Sequence, residues 1–212
     1  MRRLPVYLLL DISGSMRGEP IEAVNNGVKT LVDTLRCNPY ALETVYLSLI
    51  AFNNVVEQAV PLTELCLFQV PILEARLGTY LGKAIKYLST IAEREVVKTT
   101  REVKGDWKPL VFIMSDGRSG DKIEKALLEF NKEQFGCIVA CATGSKPNIE
   151  ALKLITDNVI QISNVNTETL QTYFKWITAS VASSSAKVEE SHSEVAIMDD
   201  LPPLPSGINL VK

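Results

Sequence analysis

The sequence predicts an α/β fold: a doubly wound, mainly parallel sheet with one antiparallel edge strand and helices on both faces. Three observations carry this. Apolar runs of strand length alternate with segments of helical period along most of the chain. Two runs, residues 6–10 and 110–114, are apolar at every position, which suits strands buried on both sides. Asn53-Asn54 separates two further strand-like runs and signals a hairpin, which puts an antiparallel strand at one edge.

In chain order, the first run ends at Asp11, and Gly18-Glu19-Pro20 opens a helix. Pro20 fits its first turn and Glu19 its positive end. Ile21, Val24, Val28, Leu31, Val32 and Leu35 recur at helical spacing, and Asn38-Pro39 stops the helix. Residues 44–52 (TVYLSLIAF) are β-branched and aromatic, a strand. Residues 55–60 pair back as the edge strand and end at Pro61, and 61–77 form a loop. A helix runs from about Leu81 into Val97 with Ile85, Leu88, Ile91 and Val96 on its apolar side. The polar segment 98–108 is a surface excursion. Within it, Trp107 either packs over the sheet edge or marks a partner surface.

After the strand at 110–114, Asp121 is expected to cap a helix packed through Ile123, Ala126, Leu127 and Phe130. Residues 137–142 are a strand carrying Cys137 and Cys141 on one face. They read as a buried pair of small apolar side chains, because a thiolate metal site would want C-x2-C spacing and further ligands. Pro147 starts a short helix through Leu154 and Ile155, and 159–162 form a last short strand. A final helix spans Thr167 to about Val181, with Leu170, Phe174 and Ile177 on one face and Trp176 away from their centre.

Residues 1–182 are thus expected to form one domain. Residues 183–212 change composition to serine, acids and proline, which reads as a disordered tail holding the solvated His192. The piece Leu201-Pro202-Pro203-Leu204-Pro205 allows two readings. It binds an aromatic groove of a partner as polyproline II, or Leu201, Leu204, Ile208 and Leu210 lie back on the domain.

Composition excludes several classes. The net charge of −3 over 212 residues leaves no electrostatic footprint for nucleic acid. No run approaches the ~18 apolar residues of a membrane span. Met1-Arg2-Arg3 imitates a secretion signal, but the apolar run behind it stops at Asp11 without a cleavage site, so a cytoplasmic location is expected.

The chemistry concentrates in Asp11-Ile12-Ser13-Gly14-Ser15. A buried strand emerges at its C-terminal end, where open α/β sheets bind ligands, into an acid and two alternate hydroxyls. Acid and serine after a strand are also ordinary turn and cap residues. The full D-x-S-x-S pattern, with a turn at Gly14, can aim hard oxygens at one point and describes a Mg2+ or Mn2+ site. Residues 110–117 repeat the design, ending in Ser115-Asp116-Gly117. Two carboxylates at one sheet edge repel unless a cation lies between them.

Asp11-Ile12-Ser13-Gly14-Ser15 matches the motif of von Willebrand factor type A domains. The wider text MRRLPVYLLLDISGSM, GEPIEAVNNGV, PYALETVYLSLIAF, KGDWKPLVFIMSDG and LPPLPSGINLV resembles TerY-like proteins of bacterial tellurite-resistance gene clusters. The resemblance implies a Rossmann-like sheet in which the first and fourth strands are neighbours. It also implies a metal-ion-dependent adhesion site formed by Asp11, Ser13, Ser15, Thr79 and Asp116. In such a site the hydroxyls touch Mg2+ directly, the aspartates act mostly through waters, and an open position accepts a partner's carboxylate. Thr79 and Gly82 keep the family's spacing, whereas the family's G-x-T reads Leu77-Gly78-Thr79 with Tyr80 following. On the residues alone Thr79 also reads as a helix cap. The gene context of the family implies kinase-like or phosphatase-like partners in a stress-response system.

Three functions therefore compete. The first is a non-enzymatic, metal-dependent protein-binding module. The second is a Mg2+-dependent phosphoryl-transfer or hydrolytic enzyme, against which the chain shows no P-loop, no glycine-rich dinucleotide turn and no His or Cys beside the motif. The third is a scaffold with a degenerate site, motivated by the altered text around Thr79.

Overall fold

Alternate residues of the first strand bury into two different cores. Leu4, Val6, Leu8 and Leu10 join a cluster on one face of the sheet, and Tyr7 and Leu9 join another on the opposite face. This is why the run had to be apolar throughout. The structure, a computed structural model, describes residues 2–190 and 201–211, and the side chains of 188–190 fall outside that description. The readings of His192 and of most of the acidic segment 189–200 lie outside the described residues.

The chain forms β1 (Leu4–Asp11), α1 (Glu19–Arg36), α2 (Pro39–Thr44), β2 (Val45–Phe52), β3 (Val56–Glu64), α3 (Leu81–Glu95) and β4 (Leu110–Ser115). It continues through α4 (Ile123–Leu127), β5 (Cys137–Thr143), α5 (Ile149–Lys153), β6 (Val159–Ile162), α6 (Thr167–Glu190) and β7 (Asn209–Leu210). The sheet order is β3-β2-β1-β4-β5-β6-β7. The five inner strands are parallel, while β3 and β7 are antiparallel edges. The expected antiparallel edge is β3, and β7 adds a second that two residues of sequence could not announce. Chain direction across the sheet reverses at β1, which pairs with β2 on one side and β4 on the other. That switch point opens a crevice at the carboxyl ends of the strands.

Several elements differ from expectation for identifiable reasons. The edge strand runs on through Pro61 to Glu64, because an edge tolerates a residue without an N–H. Pro39 ends α1 and also opens α2, whose cap is the Asn38 side chain accepting the Ala41 amide at 3.0 Å. Helix α4 is short, and Phe130 lies beyond it, stacked on Phe135 at 5.5 Å between ring centroids. Helix α6 continues through the serine run to Glu190. Three of its buried hydroxyls return to the helix itself, Thr178 donating to the Phe174 carbonyl, Ser180 to that of Trp176 and Ser185 to that of Ala182, whereas the buried Ser184 hydroxyl has no partner among the described residues. Helices α1 and α6 pack so closely that a Cβ on Gly27 would lie 2.2 Å from the Phe174 ring.

Both tryptophans are buried. Trp107 lies under the Arg2 guanidinium, 3.5 Å from the ring centroid. Trp176 meets Phe112 edge-on, and its Nε1 donates to the Pro202 carbonyl at 2.9 Å. The segment from Leu201 returns to the domain, with Leu201 and Ile208 buried and Asn209–Leu210 paired with β6, while the Leu210 side chain is exposed. Cys137 and Cys141 are buried and reduced on one face of β5, as expected. Among the described residues no helix is long and apolar enough to cross a membrane.

Candidate metal centre

Asp11 ends β1 and is only 2% exposed. Its Oδ1 accepts the Ser13 amide at 2.8 Å and its Oδ2 accepts the Ser115 hydroxyl at 2.7 Å. Burial pushes its pKa up to about 6. The hydrogen bonds from Ser13 and Ser115 hold it down in part, and the nearby Asp116 carboxylate raises it. Among the described residues no cationic side chain pairs with it. A short 3-10 turn, Gly14–Met16, then brings the hydroxyls of Ser13 and Ser15 within 3.0 Å of each other, the first buried and the second exposed.

Asp116 follows β4 and is half-buried. Its Oδ1 accepts the Arg118 amide at 2.9 Å, an Asx turn that leaves the second oxygen uncommitted. The strand register explains why the two acids share an edge: Leu10 pairs with Met114, so the next residues, Asp11 and Ser115, are neighbours. Ser115 was not foreseen as part of the site. Aligning the two all-apolar runs by their ends would have found it.

Thr79 reaches the same edge through backbone bonds of its loop. The Arg76 amide donates to the Ile12 carbonyl at 2.7 Å and the Tyr80 amide to that of Asn53 at 2.8 Å. Asn53 itself makes the expected turn, its Oδ1 accepting the Val55 amide. Thr79 does not cap α3. The cap position is Tyr80, without a side-chain bond, and the Thr79 hydroxyl has no hydrogen bond among the described residues.

The caps of α3 come from the loop after β4. Ser119 Oγ accepts the Leu81 amide at 2.9 Å, and the two carboxylate oxygens of Asp121 accept the Gly82 and Lys83 amides at 3.0 and 2.8 Å. The Gly120 amide donates to the Thr79 carbonyl at 2.8 Å. Asp121 therefore caps α3 across the site, not its own following helix, whose cap position Lys122 makes no side-chain bond. The clamp also explains the small residue three after Thr79: a Cβ on Gly82 would lie 3.0–3.2 Å from the Asp121 carboxylate. Thr79 and Asp116 are thus fixed relative to each other by one loop.

The residues fit a hard divalent cation. Two carboxylates, one of them buried without a cation, share a sheet edge with the paired Ser13 and Ser15 hydroxyls and with the loop that carries Thr79. Among the described residues no group of three or more His, Cys, Asp or Glu side chains is placed to hold a metal, so a metal here would depend on the hydroxyls beside the two acids. Beside the site lies a cleft of about 200 Å3 lined in part by Ser15, Asp116, Arg118, Thr143, Ser145 and Lys146.

Residues 6–175 match the model of the von Willebrand factor type A domain. The chain belongs to that family. Domains of this family commonly carry a divalent-metal site, mediate protein interactions and are typically non-enzymatic. No curated protein matches the chain. Among solved structures it is similar to a von Willebrand factor type A protein from Catenulispora acidiphila, at 16% identity and TM-score 0.64 over 86% of this chain and 43% of that one. Proximal thread matrix protein 1 of the mussel byssus, whose structure has a zinc-occupied MIDAS motif, is 19% identical with TM-score 0.59, over 85% of this chain and 48% of that one. BatB from Bacteroides thetaiotaomicron is 16% identical with TM-score 0.55, over 87% of this chain and 99% of that one. At these identities the likeness is one of fold. The chain spans about half the length of the first solved structures it matches.

Proposed function

We propose that this chain is a non-catalytic, metal-dependent protein-binding module. Asp11, Ser13, Ser15, Thr79 and Asp116 hold Mg2+ or Mn2+, and an acidic residue of a partner protein completes the site. The observation that carries this reading is Asp11: a buried carboxylate whose partners are an amide and a hydroxyl, with no cation supplied by the described residues. A bound divalent ion supplies positive charge and an open coordination position. Asp11 and Asp116 balance that charge, the serine pair and Thr79 offer neutral oxygens, and Ser115 holds Asp11 in orientation. The zinc-occupied motif of the byssus protein supports the reading by analogy of fold. The text shared with TerY-like proteins supports a place in a cytoplasmic tellurite-resistance or stress-response system, with a kinase-like or phosphatase-like partner of the same gene cluster.

Mn2+ titration of the purified chain, followed by partner capture with Mg2+ or with EDTA, tests it. Wild type binds one Mn2+ and holds a partner only with the ion, and Asp11→Ala does neither. Equal Mn2+ binding by both proteins, or the same captured partners in every condition, overturns the proposal. Hydrolysis of a phosphoester or nucleotide that Asp11→Ala abolishes would favour the enzymatic alternative.

A further inference from the structure

The cleft beside the candidate metal centre has a charge pattern that the centre itself does not need. Arg118 and Lys146 line it, both exposed, and among the described residues the only acid on its wall is Asp116. Neither cation forms an ion pair with a described residue. With the Asp116 charge balanced at the metal, the cleft is left with two positive charges facing it.

The guanidinium is also held in place. Its Nη2 donates to the Lys146 carbonyl at 2.8 Å, tying the loop after β4 to the loop after β5. The two loops are joined again where the Asn148 amide donates to the Asp116 carbonyl at 2.7 Å. Gly117, at φ +70°, sits so close that a Cβ would lie 2.3 Å from the Asn148 carbonyl oxygen. The loop carrying Asp116 therefore fixes Arg118 relative to the metal centre, and its Nε and Nη1 make no hydrogen bond to the described residues. A guanidinium fixed by one corner presents its remaining donors to a carboxylate at little further ordering entropy.

We propose that the cleft selects a partner segment with two acids: one carboxylate at the metal, and a second, a few residues away, on Arg118 and Lys146. This rests on the metal-binding reading and adds the chemistry of the partner. Thr143 and Ser145 supply hydroxyls along the same wall, and the half-buried Val165 gives the peptide an apolar floor. A single acidic residue would satisfy the ion but leave the two cations to water, so the second acid sets specificity.

The test uses the full chain with Mn2+ and labelled Gly/Ser decapeptides read by fluorescence anisotropy. One peptide has a single central Asp, and a set adds one Glu at each other position in turn. At least one two-acid peptide binds roughly fivefold more tightly than the single-acid peptide, the scale of a partly exposed charge pair. Arg118→Gln combined with Lys146→Gln brings the ratio of two-acid to single-acid affinity down to about one, each affinity being read with the variant's own Mn2+ site saturated. The gain shrinks at high salt. Equal affinity for one- and two-acid peptides, a gain that survives both substitutions, or no peptide binding by the Mn2+-loaded chain overturns the proposal and leaves the metal reading standing. A gain only for phosphoserine at the second position overturns the carboxylate assignment. Failure of wild type to bind Mn2+ overturns both, and titration of the ion alone separates that case from the others.

Discussion

Two buried carboxylates lie at opposite ends of this sheet, and the protein treats them differently. At the amino-terminal end, the Asp106 side chain is 5% exposed and meets Arg3 in a two-bond ion pair, with the Val97 amide as a further donor. The same arginine reaches the Glu95 carbonyl. At the carboxyl end, Asp11 is as buried but receives only an amide and a hydroxyl. The first acid is complete within the chain. The second lacks a positive charge, so nothing cationic offsets the burial that raises its pKa. The first end is complete as folded, whereas the proposed function gives the second its missing charge.

The contrast can be broken at either end. Arg3→Leu leaves the buried Asp106 carboxylate with only the Val97 amide, and about 1–2 kcal/mol of unfolding free energy should be lost in urea titration, since the departing guanidinium is itself partly exposed. Asp11→Asn should have the opposite sign. The folded pKa of Asp11 is raised from 3.8 to about 6, so the metal-free fold favours its protonated form. Its contribution is greatest below about pH 4 and is lost as pH rises through 6. Asp11→Asn should then stabilise the metal-free protein at pH 7 by on the order of 2 kcal/mol and flatten the pH 4–6 slope. It should also abolish Mn2+ binding, so added Mn2+ raises the melting temperature of wild type only.

Gly82→Ala pushes a methyl into the Asp121 carboxylate and loosens the clamp between Thr79 and Asp116. About 1–2 kcal/mol of stability should go, with Mn2+ affinity falling roughly tenfold by calorimetry. Unchanged affinity would show that the clamp serves α3 alone. Ser115→Ala removes one donor from buried Asp11. A loss of about 1 kcal/mol is expected, together with an upward shift of the pH at which metal-free stability declines.

Residues 6–10 and 110–114 made the sheet legible, because only a strand covered on both faces is apolar at every position. Asp11 and Asp116 were legible as its exits. Ser13 and Ser15 were legible from their spacing, which the 3-10 turn turns into a 3.0 Å contact. What escaped depended on distant partners. Asp121 reads locally as the cap of the helix it precedes, and only the fold brings α3's amides to it. The helix through Ser183, Ser184 and Ser185 reads as a linker, since the composition does not reveal that this run continues α6 or that the Ala182 carbonyl takes up the Ser185 hydroxyl. Trp176 reads as off-face because helical periodicity reports one covering neighbour, whereas α6 is covered by both the sheet and the segment from Leu201.

That returning segment has a consequence for how copies of the protein meet. Strand β6 would otherwise end the sheet with a row of bare amides and carbonyls, an open template for a strand from another molecule. Asn209–Leu210 occupies that row, and Pro202 holds the segment down by accepting the Trp176 indole. Cutting the chain at 182 would uncover the edge, strip the indole of its acceptor and open the pocket filled by Leu201 and Ile208. The proline-rich end acts as a selvedge, the finished border that keeps a woven sheet from being extended by its neighbour.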